Sequence, residues 1–391
     1  MRSVKNKLIY LDNAATSWPK PPQMIEAMCQ FSDHIGANPG RSGHQRSIQS
    51  ARIVYETRQR FADHFNCHDP LRIVFSSNVT EAINLALFGL LKPGDHVITT
   101  SMEHNAVMRP LRHLQSQGID LSVVKCSGKG VLDPADIKRE IRPNTILVVI
   151  THASNLTGTL MPVSEVGKIT RENDLLLLVD AAQTTGVYPI DMHEDCIDLL
   201  AFTGHKSLYG PMGTGGLAIG DRIDLNRLYP LKMGGTGSNS EKEVQPDFLP
   251  DKFESGTLNV IGLAGLNASL AWIESVGLEK IRNHEEALCK KLNEGLKYIS
   301  AISLYGPEEM KQKTAVVSFT IKDMDNALVG ELLDERYGIL CRIGLHCAPS
   351  AAKTIGAFPQ GTIRFSLGYF NQLAEIEYAI KAIIELSRGT K

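Results

Sequence analysis

Between about residue 50 and residue 220, apolar runs of β character alternate with helix-length stretches. The runs fall at 72–76, 96–100, 121–125, 146–151, 175–179 and 199–203. This rhythm predicts a largely parallel sheet covered by helices, because parallel strands need crossovers and are buried on both faces. Two stretches interrupt it, a glycine-rich one at 210–220 and a small, polar one at 233–245, and both read as loops. A shorter set follows, with a long helical pattern over 261–298, a strand-like segment at 315–321 and an amphipathic helix at 373–386. It predicts a smaller α+β domain. The expected division is a large domain over 18–270 and a small one over 271–391 together with 1–17.

Composition agrees with two globular units: 391 residues, 43% apolar and 21% charged, supply core material for more than one domain. The formal charge of −2, from 41 basic and 43 acidic residues, provides no field for holding a polyanion, so nucleic acid is excluded as the main partner. Residues 1–11 hold three basic side chains but an apolar run of only four, and no stretch reaches 18 uninterrupted apolar residues. No membrane association is expected, and a cytoplasmic location is. Seven cysteines, at 29, 67, 126, 196, 289, 341 and 347, form no CxxC pair, which argues against a disulfide framework and against a zinc knuckle. No metal site is expected. One thiol could still be a nucleophile.

Ligands of open α/β sheets bind beyond the carboxyl ends of the strands, which directs attention to the residues after each apolar run. His152-Ala153-Ser154-Asn155 follows the fourth run, Asp180-Ala181-Ala182-Gln183 the fifth and Gly204-His205-Lys206 the sixth. A carboxylate beside a core strand needs a donor or a cation, so Asp180 is a helix cap, an ion-pair partner or a cofactor ligand. Lys206 is a surface lysine of a loop or, in a desolvated cleft, a carbonyl-reactive amine. Together they suggest an aldehyde cofactor, since pyridoxal phosphate needs a lysine for its carbonyl and a carboxylate for its ring nitrogen. Ser76-Ser77-Asn78-Val79-Thr80-Glu81 opens a helix and offers either ordinary capping or a phosphate site. His104, in Ser101-Met102-Glu103-His104-Asn105, could lie over a ring and relay protons. Gly210-Pro211-Met212-Gly213-Thr214-Gly215-Gly216 is no nucleotide loop, because no Lys-Ser/Thr follows it.

Eight ordered segments resemble the class V aminotransferase-like, fold-type I pyridoxal phosphate enzymes, and within them the cysteine desulfurases and selenocysteine lyases. They are Tyr10-Leu11-Asp12-Asn13-Ala14-Ala15, Thr80-Glu81-Ala82-Ile83-Asn84, Glu103-His104-Asn105, Thr151-His152-Ala153-Ser154-Asn155, Val179-Asp180-Ala181-Ala182-Gln183, Gly204-His205-Lys206, Phe253-Glu254-Ser255-Gly256-Thr257 and Arg342-Ile343-Gly344-Leu345-His346-Cys347. The resemblance implies a large domain with a mostly parallel seven-stranded sheet between helices, and a smaller α+β domain. It implies pyridoxal 5'-phosphate bonded to Lys206, with Asp180 on the ring nitrogen, Gln183 and Asn155 on the phenolic oxygen side and His104 stacked on the ring. Thr80, Thr203 and His205 would bind the phosphate, joined by Thr257 from the second subunit of a homodimer. Arg364 would clamp the substrate carboxylate, with Arg342 nearby.

Cys347 decides the activity within this resemblance, because aminotransferases need no thiol whereas desulfurases place one on a loop facing the cofactor. The Arg-x-Gly-x-His-Cys pattern is similar to the short-loop group typified by the enzyme of the Suf system. Its context, with Gly344, His346 and Pro349, favours an exposed loop, while Cys341 reads as core. The activity implied is conversion of L-cysteine to L-alanine with sulfur left on Cys347 as a persulfide, His104 serving as acid or base. A sulfur-acceptor protein and a place in iron–sulfur cluster assembly would follow. Selenium release from L-selenocysteine, another class V aminotransferase or lyase reaction, and a non-catalytic cofactor-binding protein are the alternatives. Three positions depart from the family pattern: Val79 replaces a common threonine, Leu345 a common histidine, and Asn38-Pro39-Gly40-Arg41-Ser42-Gly43-His44 differs from the Suf enzyme's His-Arg-Gly.

Overall fold

The computed structural model describes residues 8–40, 43–239 and 241–388. Among the described residues thirteen strands occur in chain order: β1 (Ile9–Tyr10), β2 (Ile73–Ser76), β3 (His96–Thr100), β4 (Asp120–Val124), β5 (Thr145–Thr151), β6 (Leu176–Asp180), β7 (Leu199–Thr203), β8 (Gly215–Ile219), β9 (Ile302–Tyr305), β10 (Val316–Ile321), β11 (Ile339–Leu340), β12 (Arg342–Gly344) and β13 (Thr362–Ser366). Seven build the large sheet in the order β2-β8-β7-β6-β5-β3-β4. All its pairings are parallel except those of β8, which runs antiparallel to both neighbours. The six apolar runs of the sequence are six of these strands, and helices cover both faces, as the fold class requires.

β8 corrects the reading of 210–220 as loop. Its pattern, Gly-Gly-Leu-Ala-Ile, lacks the β-branched signature of a strand. The glycines serve packing: a Cβ on Gly216 would lie 2.5 Å from the Phe202 ring and 2.6 Å from the Val74 carbonyl oxygen. A second correction concerns 261–298. The helical pattern breaks at Gly277, whose φ of +91° suits glycine alone, into helices Val260–Val276 and Leu278–Lys297 bent by 80°. The first packs on helices Pro22–Gln30 and Gln45–Phe65 of the large unit. Among the described residues no single helix is long and apolar enough to cross a membrane.

The second sheet, β12-β13-β10-β9, is antiparallel, and helices Leu278–Lys297, Asn326–Tyr337 and Leu373–Arg388 accompany it. Its core draws Ile9 and Leu11 from the N-terminal segment, together with Leu288, Val317, Phe319, Phe365 and Ile383. Residues 1–7 of that segment lie outside the described residues. The large core runs through Ile281 and takes back Ala348, Ala351 and Ala352 of helix Pro349–Thr354. The chain between β12 and that helix, which carries Cys347, therefore leaves one core and enters the other.

Candidate active site

In the large sheet, β3 and β4 extend one way from β5 while β6 and β7 extend the other, so the order reverses between β3 and β5. Such a switch point opens a crevice at the carboxyl ends. Thr151, Asp180 and Ala201 stand side by side across β5, β6 and β7 at that edge. The loops beyond these strands bring Asn155, Asp180 and Lys206 to adjacent tips.

Asp180 ends β6 and is buried. Its Oδ1 accepts the Ala182 N–H at 3.0 Å, the single hydrogen bond the described protein gives this carboxylate. Burial raises its pKa, and the Ala182 bond and the Lys206 charge oppose that. Lys206 is pushed the other way: desolvation lowers it to about 8, partly offset by Asp180, so a minor but appreciable fraction of the amine is neutral near physiological pH. The backbone beneath it is fastened from the N-terminal segment. Ser17 Oγ donates to the Lys206 carbonyl at 2.7 Å, while Thr16 Oγ1 and Lys20 Nζ donate to the His205 carbonyl at 3.0 and 2.8 Å. Gln183 donates to the Ala14 carbonyl at 3.1 Å and shares with Lys206 the wall of a cavity.

His104 caps helix Asn105–Ser116, its Nδ1 accepting the Ala106 N–H at 3.0 Å. Burial, reinforced by Lys206, Arg342, Arg109 and Arg364, lowers its pKa to about 4. The ring is therefore neutral and, with Nδ1 occupied as an acceptor, carries its proton on Nε2. Beside it Glu103 is fully buried, accepting from Thr100 Oγ1 at 2.6 Å and Thr151 N at 3.1 Å, and burial pushes its carboxyl up to about 8.

Arg364, on β13, is buried and forked between two acceptors, the Asn155 carbonyl at 2.9 Å and Asp12 Oδ1 at 2.7 Å; its Nε–H has no partner. Arg342 faces it across the strand pair. From there the Arg342 Nη2 donates to Cys347 Sγ at 3.7 Å. Cys347 is exposed, and Cys341 is half-buried against the small core. The Asn155 amide donates to the His346 carbonyl at 2.7 Å, and the Asn105 N–H donates to the Cys347 carbonyl at 2.8 Å. The thiol loop is thus docked on the helix end that His104 caps.

At the other end of the crevice Thr203 is buried and donates to the Thr214 carbonyl at 3.4 Å, and the buried His205 Nδ1 has no partner. Thr80 is exposed in the first turn of helix Val79–Leu90, where Asn78 caps the Glu81 N–H at 3.0 Å. Thr257 is not brought to the amine. It lies exposed on a separate cleft with Ser76, Ser77 and Thr214. Of the segment from Asn38 to His44, Arg41 and Ser42 lie outside the described residues. Among the described residues no cluster of His, Cys, Asp or Glu has the geometry of a metal site.

The sequence motifs assign no role to Asp12, Ser17, Lys20 or Asn105, all of which hold site residues in place. Asp12 and Asn105 stand inside two of the eight motifs, so their positions carry a signal. Ser17 and Lys20 reach, through their side chains, backbone carbonyls far away in the chain.

The chain belongs to the class V aminotransferase family, whose profile matches residues 9–379. It is 35% identical over 384 residues to a protein of Methanothermobacter thermautotrophicus named as a probable cysteine desulfurase, covering 97% of this chain and 94% of that one. A protein of Pyrococcus abyssi with the same name is 35% identical over 394 residues, 98% and 96% of the two chains. Among solved structures, the apo cysteine desulfurase of Thermococcus onnurineus superposes with a TM-score of 0.91 at 34% identity, over 98% of this chain and 96% of that chain. The cysteine desulfurase CsdA of Escherichia coli does so at 0.86 and 26% identity, over 97% and 94%.

The family is pyridoxal-phosphate-dependent, and the residues present fit that group. A buried carboxylate with one protein donor can take a ring-nitrogen proton, a desolvated amine can meet an aldehyde, and the buried His205 Nδ1 without a partner is free to meet an anionic group.

Proposed function

We propose that this protein is a pyridoxal-phosphate-dependent cysteine desulfurase that converts L-cysteine to L-alanine and takes the sulfur onto Cys347 as a persulfide. The observation that carries this is the exposed Cys347 thiol, held at 3.7 Å from Arg342 on a loop docked to the helix that His104 caps, within the electrostatic reach of Lys206.

When bound, the cofactor supplies an electron sink for the substrate's α-carbon. Asp180 holds the ring-nitrogen proton, and Arg364 directs its free N–H groups to the substrate carboxylate while Asp12 and the Asn155 carbonyl fix its plane. Lys206 Nζ, in its neutral form, receives the α-proton. Cys347 Sγ then attacks the substrate sulfur: an S–S bond forms, the substrate Cβ–S bond breaks, and its electron pair stays with the carbon. That carbon takes the proton that the Cys347 thiol gives up, Lys206 returns the α-proton, and the product leaves as alanine. His104 Nε2–H faces these events as a donor.

Thr80, Thr203 and His205 are proposed to hold the phosphate. Thr257, exposed and on a different cleft from Lys206 within its own chain, would act from a second copy in a homodimer. The exposed thiol suits onward transfer to an acceptor protein, and iron–sulfur cluster assembly in the cytoplasm is the process we propose it serves.

The test is to incubate the holoenzyme with L-cysteine and measure alanine and Cys347-bound persulfide by mass spectrometry, with L-selenocysteine in parallel. Equimolar alanine and persulfide, both abolished in Cys347→Ser, are expected. Keto-acid production without persulfide, or selenium release that Cys347→Ser leaves unchanged alongside inert L-cysteine, would overturn the proposal.

A further inference from the structure

The residue before the thiol is buried although the thiol is exposed. His346 turns beneath the loop, and its Nε2 lies 3.1 Å from the Thr362 carbonyl and 3.0 Å from the Thr362 hydroxyl on β13. A carbonyl only accepts, so Nε2 carries the proton and donates. His346 and Cys347 both occupy the left-handed region, at φ +53° and +57°. Two successive non-glycine residues adopt that conformation only where surrounding contacts hold them there.

Five contacts hold the pair and its flanks. The Gly344 backbone abuts Gly361 so closely that a Cβ there would lie 2.2 Å from the Gly344 carbonyl carbon, which fixes where the loop leaves β12. Thr362 holds the His346 ring, the Asn155 amide holds the His346 carbonyl, and the Asn105 N–H holds the Cys347 carbonyl. Helix Pro349–Thr354 anchors the far end in the large core. Without the ring contact to β13, the left-handed pair would lose the bonds of its buried side chain.

We infer that His346 is a positioning residue: its bond to Thr362 pins the left-handed His346-Cys347 pair and thereby sets where the Cys347 sulfur stands relative to the substrate. This rests on the desulfurase reading above. The role is geometric, since His346 Nε2 is engaged away from the reacting atoms.

The experiment compares wild-type, His346→Ala and His346→Gln holoenzymes, because the glutamine amide can reproduce the Nε2–H donor. In His346→Ala, kcat for persulfide formation from L-cysteine falls about 100-fold, the scale of a misplaced reacting group, with KM little changed. The cofactor absorbance and the exchange of the α-hydrogen of L-alanine with D2O, which uses Lys206 and not the thiol, stay at wild-type level. His346→Gln recovers most of the loss. Amide hydrogen exchange of the segment containing Asn105 accelerates in His346→Ala, with or without cofactor, as the Cys347 carbonyl undocks.

Unchanged kcat, or α-hydrogen exchange falling in step with persulfide formation, would overturn the inference. If wild type itself forms no persulfide, the desulfurase reading fails on its own, and the Asn105 exchange still decides the clamp: protection unaltered in His346→Ala overturns it.

Discussion

Burial acts in opposite senses on the two charged groups at the sheet edge. It raises the Asp180 carboxyl and lowers the Lys206 ammonium, and each group's charge partly restores the other. The negative charge of Asp180 favours the protonated amine, so its removal must free the neutral amine at lower pH. Asp180→Asn is expected to move the titration of Lys206 below about 8, read as the pH dependence of imine formation between cofactor-free protein and pyridoxal. A midpoint that stays in place would show the pair to be uncoupled. Both residues were legible in the sequence because each follows an apolar run directly, where an unpaired polar group is costly and marks itself. Asp12 and Asn105 stand inside motifs, but the contacts they make were not legible. Asp12 meets Arg364 only because the N-terminal segment lies beside β13, with Asp12 bridged to Ser366, and Asn105 acts through its backbone N–H, which any residue supplies.

At the level of elements, the six parallel-sheet strands were legible to within about a residue, since buried strands write continuous apolar runs. β8 was not, because its pattern records the needs of its neighbours. Gly216 lies against the Phe202 ring of β7 and the Val74 carbonyl of β2, at distances no side chain tolerates. Gly216→Ala is therefore expected to force β8 away from one neighbour and to cost about 1–3 kcal/mol, as overpacking in a core does. The measurement is the urea midpoint of the cofactor-free protein, and an unchanged midpoint would refute the packing account. Gly277 was hidden for a related reason. Helical periodicity runs through it, and only its φ of +91° reveals that one amphipathic pattern serves two helices, the second of which passes from the large core at Ile281 to the small core from Leu288 onward.

Across the whole molecule, the two cores meet around the cavity that adjoins Lys206, and the contact there is polar. Tyr209, three residues after Lys206, donates its hydroxyl to Glu285 Oε1 at 3.0 Å, on helix Leu278–Lys297. The same hydroxyl accepts the Tyr369 N–H at 2.7 Å. Burial pushes the Glu285 carboxyl up from 4.5 to about 8. Between those values the folded chain keeps a proton that the unfolded chain has released, so this group's stabilising contribution is complete below about 4.5 and is lost as pH rises through about 8. The slope approaches about 1.4 kcal/mol per pH unit for one such group. Glu103 adds a slope of the same sign, whereas Lys206, lowered from 10.5 to about 8, favours the folded state increasingly as pH rises above about 8. A single stability curve therefore mixes these groups, and a difference between variants isolates one. Glu285→Gln keeps an acceptor for the Tyr209 hydroxyl and removes the titration. Relative to wild type, the variant should gain stability steadily between about pH 5 and about pH 8, followed as urea midpoints of the cofactor-free proteins. If the gap between the two proteins is the same at both ends of that range, Glu285 does not link the domains through a buried protonated carboxyl.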